Sequence, residues 1–339
     1  MRNYTGSPIL LFFLLFFSTA LTFPTRTGPD IPRPSKFVEI DYSTIDNYAR
    51  NAPESAAKNL TTLSEYLTSP ARTNLAKARS VYAWITSHIR YDESAFSGQR
   101  YSSEVDYANR VLRSRKAVCT GFALLFKHLL NQTGIQVANI KGYSRTNDSE
   151  AGQPIQRLDH EWNAVQLDGD WYLLDLAWAQ TTAKPGPDGK VQPNDFFFLT
   201  EPVAFAANHF PTDTRWQLLD PLVSKKQFDQ FPKIYDAYFR LGFDSDFPKS
   251  GLMRASDGLT LSLQNEKDVE FMCSIGRQGG STASHVPVSV RRSGNKYELT
   301  VPVAQRGNST LYVFAKPKGP RMERVKSYEG IASFTVVKN

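Results

Sequence analysis

The sequence predicts an α+β fold: a helix carrying a cysteine, packed on an antiparallel sheet, with a C-terminal β-sandwich behind it. Three observations predict it. The run CTGFALLFKHLL places Phe122, Leu125, Phe126, Leu129 and Leu130 at i, i+3, i+4, i+7 and i+8, one apolar helical face stopped by Gly134. The period then shortens to two. IQVANIKGY, NAVQLDG and DWYLLDLAW read as consecutive strands, the last two joined by the hairpin pair Asp168-Gly169. From about Gly258, the runs LTLSL, FMCSI, VPVSV, YELTVPV, TLYVFA and IASFTVV alternate with polar or glycine turns, which is sandwich spacing.

The elements ahead of the cysteine follow from the same patterns. MRNYTGSPILLFFLLFFSTALTF has a positive start at Arg2, an apolar run from Ile9 to Phe17 and small residues at Ser18-Thr19-Ala20. That is the layout of a secretory signal peptide over 1–20, with an uncleaved anchor as the alternative. A proline-rich leader is expected over 21–50, since PTRTGPDIPRPSK offers little apolar material. The main domain is expected over 51–248 and the sandwich over 250–339. A helical pattern begins near Pro53 and continues through Leu60, Leu63 and Leu67. A clearer one follows with Leu75, Ala78, Tyr82, Ile85 and Ile89, and exits at Arg90-Tyr91-Asp92. Glu104 to Leu112 precedes the cysteine helix. FFFLTEPVAF and the aromatic segment from Phe228 to Phe247 fit no single period.

Composition narrows the function classes. The 339 residues are 41% hydrophobic and 22% charged, with a formal charge of +7. Such a charge gives a diffuse positive field. Lys and Arg are scattered without zinc-finger or homeodomain spacing, so no specific nucleic-acid partner is expected. No phosphate-binding or dinucleotide fingerprint is present. His160-Glu161 lacks the second histidine of HExxH, and Asp148, Asp159 and Asp168 form no calcium loop. No metal and no cofactor are expected, nor a membrane span in the mature chain. Sequons at Asn3, Asn59, Asn131, Asn147 and Asn308 are compatible with glycosylation of an exported chain.

Cys119 and Cys273 are the two cysteines. A bridge between them would compete with any reactive role. A thiolate at a helix N-terminus faces unpaired N–H groups and the positive end of the dipole, which lower its pKa. The alternative is a buried, inert thiol. A nucleophilic thiol needs a base, and the base an orienting acceptor. His88 and His128 lie inside helical patterns, whereas His160 opens a strand in DHEWNAV. Asp175, flanked by leucines in WYLLDLAW, lies on the strand expected to pair with it. A histidine would satisfy that carboxylate, and so would a buried backbone group.

The order Cys119, His160, Asp175 resembles that of the transglutaminase-like superfamily. VCTGFALLFKHLL, Gly142-Tyr143, HEWNAVQLDGDWYLLDLAW and the upstream IRYD are similar to its blocks, and NHFPTDTRWQLLDP resembles the kyphoscoliosis-peptidase-like branch. The similarity covers about residues 75–235. It implies a papain-like/transglutaminase-like core with Cys119 as nucleophile, His160 as base and later acid, and Asp175 as the residue fixing its tautomer. It is compatible with an immunoglobulin-like sandwich at the C-terminus. The expected oxyanion donor is the Cys119 backbone N–H. An indole N–H of Trp84 or Trp162 could serve as a second donor, though either is more simply a packing aromatic. Glu161 departs from the small residue common after the histidine. His209 lies outside the triad and is expected in a structural or cleft-wall role.

The expected function is a secreted peptidase or amidase working through a thioester. Protein crosslinking and a noncatalytic interaction module are the alternatives. Expected partners are protein or peptide substrates and extracellular or cell-surface proteins.

Overall fold

The computed structural model describes residues 34–96, 101–186, 189, 191–318 and 327–338. The expected signal peptide over 1–20 and the first part of the leader lie outside the described residues. No helix among the described residues is long and apolar enough to cross a membrane.

Five helices build one side of the main domain: α1 (Ser43–Arg50), α2 (Leu60–Thr68), α3 (Asn74–His88), α4 (Glu104–Ser114) and α5 (Cys119–Asn131). Side chains at their starts satisfy the first free N–H groups. Asn59 accepts from Thr62 N at 2.9 Å, Thr73 from Ala76 N at 3.1 Å and Ser103 from Asp106 N at 3.1 Å. The centre of α3, from Ala78 to Thr86, is buried all round, and α5 buries Phe122, Leu125, Phe126, Leu129 and Leu130 against it.

Helix α1 corrects the expected leader, which ran to residue 50. Asp46 on α1 is buried and takes two hydrogen bonds from Arg79 on α3, each of 2.6 Å. Proline content marked residues 24–36 as extended, but no local pattern shows that a buried guanidinium requires Asp46.

Two short strands, β1 (Arg90–Tyr91) and β2 (Lys116–Ala117), pair in parallel. They lock the end of α3 to the start of α5. The main sheet is antiparallel, in the order β5-β4-β3-β8, from β3 (Val137–Ser144), β4 (His160–Leu167), β5 (Asp170–Leu174) and β8 (His209–Pro211). Asp168 and Gly169 both have positive φ, 54° and 94°, as the two-residue hairpin between β4 and β5 requires. DWYLLDLAW is not strand throughout. It stops at Leu174, and α6 (Leu176–Thr181) follows with Asp175 as its cap, accepting from Trp178 N at 2.9 Å.

The hairpin β6 (Lys184–Pro185) and β7 (Val191–Gln192), then α7 (Pro202–Ala206), α8 (Lys225–Gln230), β9 (Lys233–Ile234) and α9 (Asp236–Arg240), complete the main domain. The aromatic segments without a clear period lie here: Phe196, Phe197, Phe198, Phe228, Phe231 and Phe239 are all buried.

The sandwich has strands β10 (Leu252–Ala255), β11 (Gly258–Gln264), β12 (Val269–Arg277), β13 (Ala283–Val286), β14 (Ser289–Ser293), β15 (Lys296–Pro302), β16 (Gly307–Pro317) and β17 (Glu329–Lys338). One sheet runs β10-β17-β16-β12-β13, with β9 added to β17, and the other runs β11-β15-β14. Their inner faces alternate, with Leu259, Leu261 and Leu263 facing a core that includes Phe271, Cys273 and Ile275. Strands β9 and β10, of two and four residues, are too short for alternation to reveal.

The connection from β3 to β4 is held by this second domain. Thr335 Oγ1 donates to Ala151 O at 2.8 Å and Ser333 Oγ to Asp148 Oδ1 at 2.7 Å. Tyr235 donates to the same Asp148 oxygen, and Gly152 N to Phe231 O at 2.8 Å. The buried Arg145 reaches Phe228 O at 2.7 Å.

Candidate active site

Cys119 is the first residue of α5, 3% exposed, with its Sγ 3.8 Å from the carbonyl oxygen of Asp159. Gly121, two residues further on, allows this placement. A Cβ there would lie 2.5 Å from Ala117 Cβ and 2.8 Å from a Val111 methyl, so any larger residue would push the helix tip off β2 and α4.

His160 begins β4 opposite Gly142 of β3, and Asp175 follows the end of β5. The sheet brings them together diagonally: His160 Nε2 lies 2.6 Å from Asp175 Oδ2. That leaves Nδ1 as the ring nitrogen free to face a thiol, and the Cys119 sulfur is among the groups that raise the ring's pKa. His160 and Asp175 therefore meet, while Cys119 Sγ lies against the carbonyl of Asp159, the residue before His160.

A fourth residue joins them. His209 opens β8, on the far side of β3 from β4, and its Nε2 lies 3.0 Å from the same Asp175 Oδ2. Asp175, fully buried, thus receives two imidazoles on one oxygen and the Trp178 N–H on the other. Aromatic rings hold the imidazoles. Trp178 lies 5.4 Å from His160 and 4.4 Å from His209 between ring centroids, and Phe205 stacks on His209 at 4.0 Å. Trp162 packs against both, and Gly142 makes room for it, since a Cβ would lie 2.2 Å from its ring.

The two histidines carry different charge. Burial disfavours a proton on His160, but the Asp175 carboxylate and then the Cys119 sulfur outweigh it and hold its pKa up at about 10. For His209, burial dominates over the Asp175 bond and lowers the pKa to about 4. Burial would raise the Asp175 pKa, but His160 first and His209 next hold it well below the usual carboxylate range. One buried carboxylate balances one imidazolium, and the second imidazole stays neutral. Its single proton has two acceptors, Asp175 at 3.0 Å and Phe205 O at 3.2 Å from Nδ1, and the charged one wins it.

Two imidazoles and a carboxylate are also a metal donor set, and these three offer ligand atoms within 4.8 Å of one another. Ligand atoms around a tetrahedral zinc with bonds of ~2.0 Å stand roughly 3.3 Å apart. The contacts of 2.6 and 3.0 Å are instead those of direct hydrogen bonds.

Tyr91 and Trp178 were not singled out by the sequence. Tyr91 is half-buried on β1, and burial, with Cys119 and Asp175 adding to it, raises its hydroxyl to about 12. Its only signal was its place in IRYD. Trp84 sits away from the cluster, stacked on His88 and covered by Arg115. The Trp162 indole N–H is buried with no partner. Glu161 accepts from Asn139 Nδ2 at 2.8 Å. His128 pairs with Glu104. Cys273 is a free thiol in the sandwich core, and Cys119 is free as well, so the two do not bridge.

Residues 61–176 match the family model of the transglutaminase-like superfamily, and residues 225–339 match that of the KY-like, immunoglobulin-like domain. The mouse protein "Kyphoscoliosis peptidase" is 30% identical over 302 residues, covering 86% of this chain and 44% of the relative. Its human counterpart is 30% identical over 291 residues, 85% of this chain and 42% of the relative. The Caenorhabditis elegans "Lim and transglutaminase domain protein ltd-1" is 30% identical over 241 residues, 65% of this chain and 32% of the relative. The chain spans less than half the length of each of these relatives.

Proposed function

Because residues 61–176 match the transglutaminase-like superfamily and residues 225–339 the KY-like, immunoglobulin-like domain, we propose that the chain is a thiol enzyme acting on protein amide bonds through Cys119, His160 and Asp175. The observation that carries this reading is the His160–Asp175 contact of 2.6 Å beside a cysteine at a helix N-terminus.

Each residue's role follows from its position. Cys119 passes its proton to His160, forming the imidazolium beside Asp175, and its Sγ attacks the amide carbonyl carbon, whose oxygen takes the negative charge. The first N–H groups of a helix have no intrahelical acceptor, so the Cys119 N–H is placed to bind that oxyanion. His160, holding a proton across the neutral range, donates it to the leaving nitrogen as the C–N bond breaks. A thioester remains. Water then attacks it, His160 takes the water's proton, and the carboxylic acid leaves as the C–S bond breaks. An amine in place of water gives crosslinking.

The 3% exposure of Cys119 favours a second reading, a binding domain that keeps the fold with its cleft closed. Incubating wild type and Cys119→Ala with an electrophilic thiol probe, then with casein and a labelled amine, separates the readings. Probe on Cys119 with peptide release supports hydrolysis, and amine incorporation supports crosslinking. A Cys119 no more reactive than a small free thiol sinks both. Export is part of the proposal, supported by the apolar run Ile9–Phe17 after Arg2. N-terminal sequencing of protein recovered from culture medium tests it.

A further inference from the structure

We infer that His209 is a positioning residue for the thiol chemistry: its Nε2, 3.0 Å from Asp175 Oδ2, pins the carboxylate oxygen against which the His160 ring is oriented. The inference rests on the thiol-enzyme reading above.

A carboxylate bonded by a single imidazole can swing with it, because rotation about the carboxyl bond keeps one contact while moving both groups. Asp175 is fixed at three points from three elements. Trp178 N on α6 holds Oδ1, while His160 on β4 and His209 on β8 share Oδ2. His209 is the point that ties the carboxylate to the opposite side of β3. It is rigid itself: Ser144 of β3 is its register partner, and Phe205, Trp178 and Trp162 enclose its ring. At 3% exposure it acts through Asp175, not on substrate.

A purely structural role would not require the N–H. A phenylalanine would fill the same space between Phe205 and Trp178 without burying a polar ring. The burial that depresses the His209 pKa is a cost that the bond to Asp175 offsets.

The test compares His209→Gln, whose side-chain amide N–H reaches toward the same oxygen, with His209→Phe and His209→Leu, which fill the space without a donor. Three quantities are read: the rate of Cys119 alkylation by iodoacetamide against pH, the titration of the His160 ring by NMR, and the melting temperature. The donor-free variants should lose about tenfold in alkylation rate at neutral pH. Their His160 titration should move down toward the ordinary range. His209→Gln should stay within about threefold of wild type on the same scale. The inference is overturned if a folded donor-free variant alkylates at the wild-type rate with the His160 titration unmoved. It is also overturned if His209→Gln falls as far as the others while melting like wild type. The His160 titration decides the matter even where Cys119 does not alkylate. Fast alkylation without peptide release defeats the peptidase reading and leaves this comparison standing.

Discussion

Arg79 grips Asp46 through two parallel hydrogen bonds of 2.6 Å, with both side chains buried between α1 and α3. The remaining guanidinium nitrogen reaches Asp195 at 2.6 Å. Removing one partner of a buried pair leaves an uncompensated charge, so Asp46→Ala should destabilise the fold by about 3–5 kcal/mol. Urea denaturation measures this. A loss below about 1 kcal/mol would show that Asp195 alone satisfies Arg79.

The two histidines on Asp175 should give stability a maximum near neutral pH. His160, raised to about 10, binds a proton in the native state where the unfolded chain has lost it. Its contribution is complete below about pH 6.5 and disappears as pH rises toward 10. His209, lowered to about 4, does the reverse. The unfolded chain binds the proton first, so stability falls as pH drops from about 6.5 to 4. Burial also lowers His88 and His128, which add to the acid limb. Each limb should amount to on the order of 2 kcal/mol. Thermal melts across pH should show His160→Gln flattening the alkaline limb, while His209→Gln flattens part of the acid one. An unchanged alkaline limb in His160→Gln would contradict the assignment.

Gly142→Ala should disturb the site from outside it. The new methyl would lie 2.2 Å from the Trp162 ring and 2.4 Å from Phe210 O, both packed against the histidine pair or its strand. Overpacking of this kind costs about 1–3 kcal/mol. The displaced indole should also slow Cys119 alkylation. Alkylation at the wild-type rate in a variant of normal stability would show that the indole yields freely.

The two thiols should separate cleanly by mass spectrometry. Cys273 is fully buried in the sandwich core, where burial pushes its pKa up to about 12. The native protein should take up one alkyl group, at Cys119, and the unfolded protein two. Cys273→Ser should cost about 1–3 kcal/mol, by placing a hydroxyl in an apolar site, without slowing Cys119. Native labelling at Cys273 would contradict the placement.

The readable parts of this chain are those where one local pattern carries the information. Helix α5 and the Asp168-Gly169 hairpin were legible because their periodicity and turn chemistry are local. Cys119, His160 and Asp175 were proposed together because their order and surrounding residues resemble those of the transglutaminase-like superfamily, and His160 and Asp175 do meet. Asp175 was placed on a strand because Leu173-Leu174 continues the strand pattern, and a helix of six residues gives too little pattern to declare itself. His209 was seen but not joined to the site. Its approach depends on β8 pairing with β3, a contact more than sixty residues distant that no local period encodes.

The hold of the sandwich residues Thr335 and Ser333 on the connection between β3 and β4 has a further consequence. That connection delivers His160, so the sandwich acts as a splint for a residue it never touches. The main domain cut free of its neighbour would keep every group of the cluster in its sequence and lose the brace that sets one of them. A pull on the C-terminal strand would loosen that brace and, with it, the placement of His160.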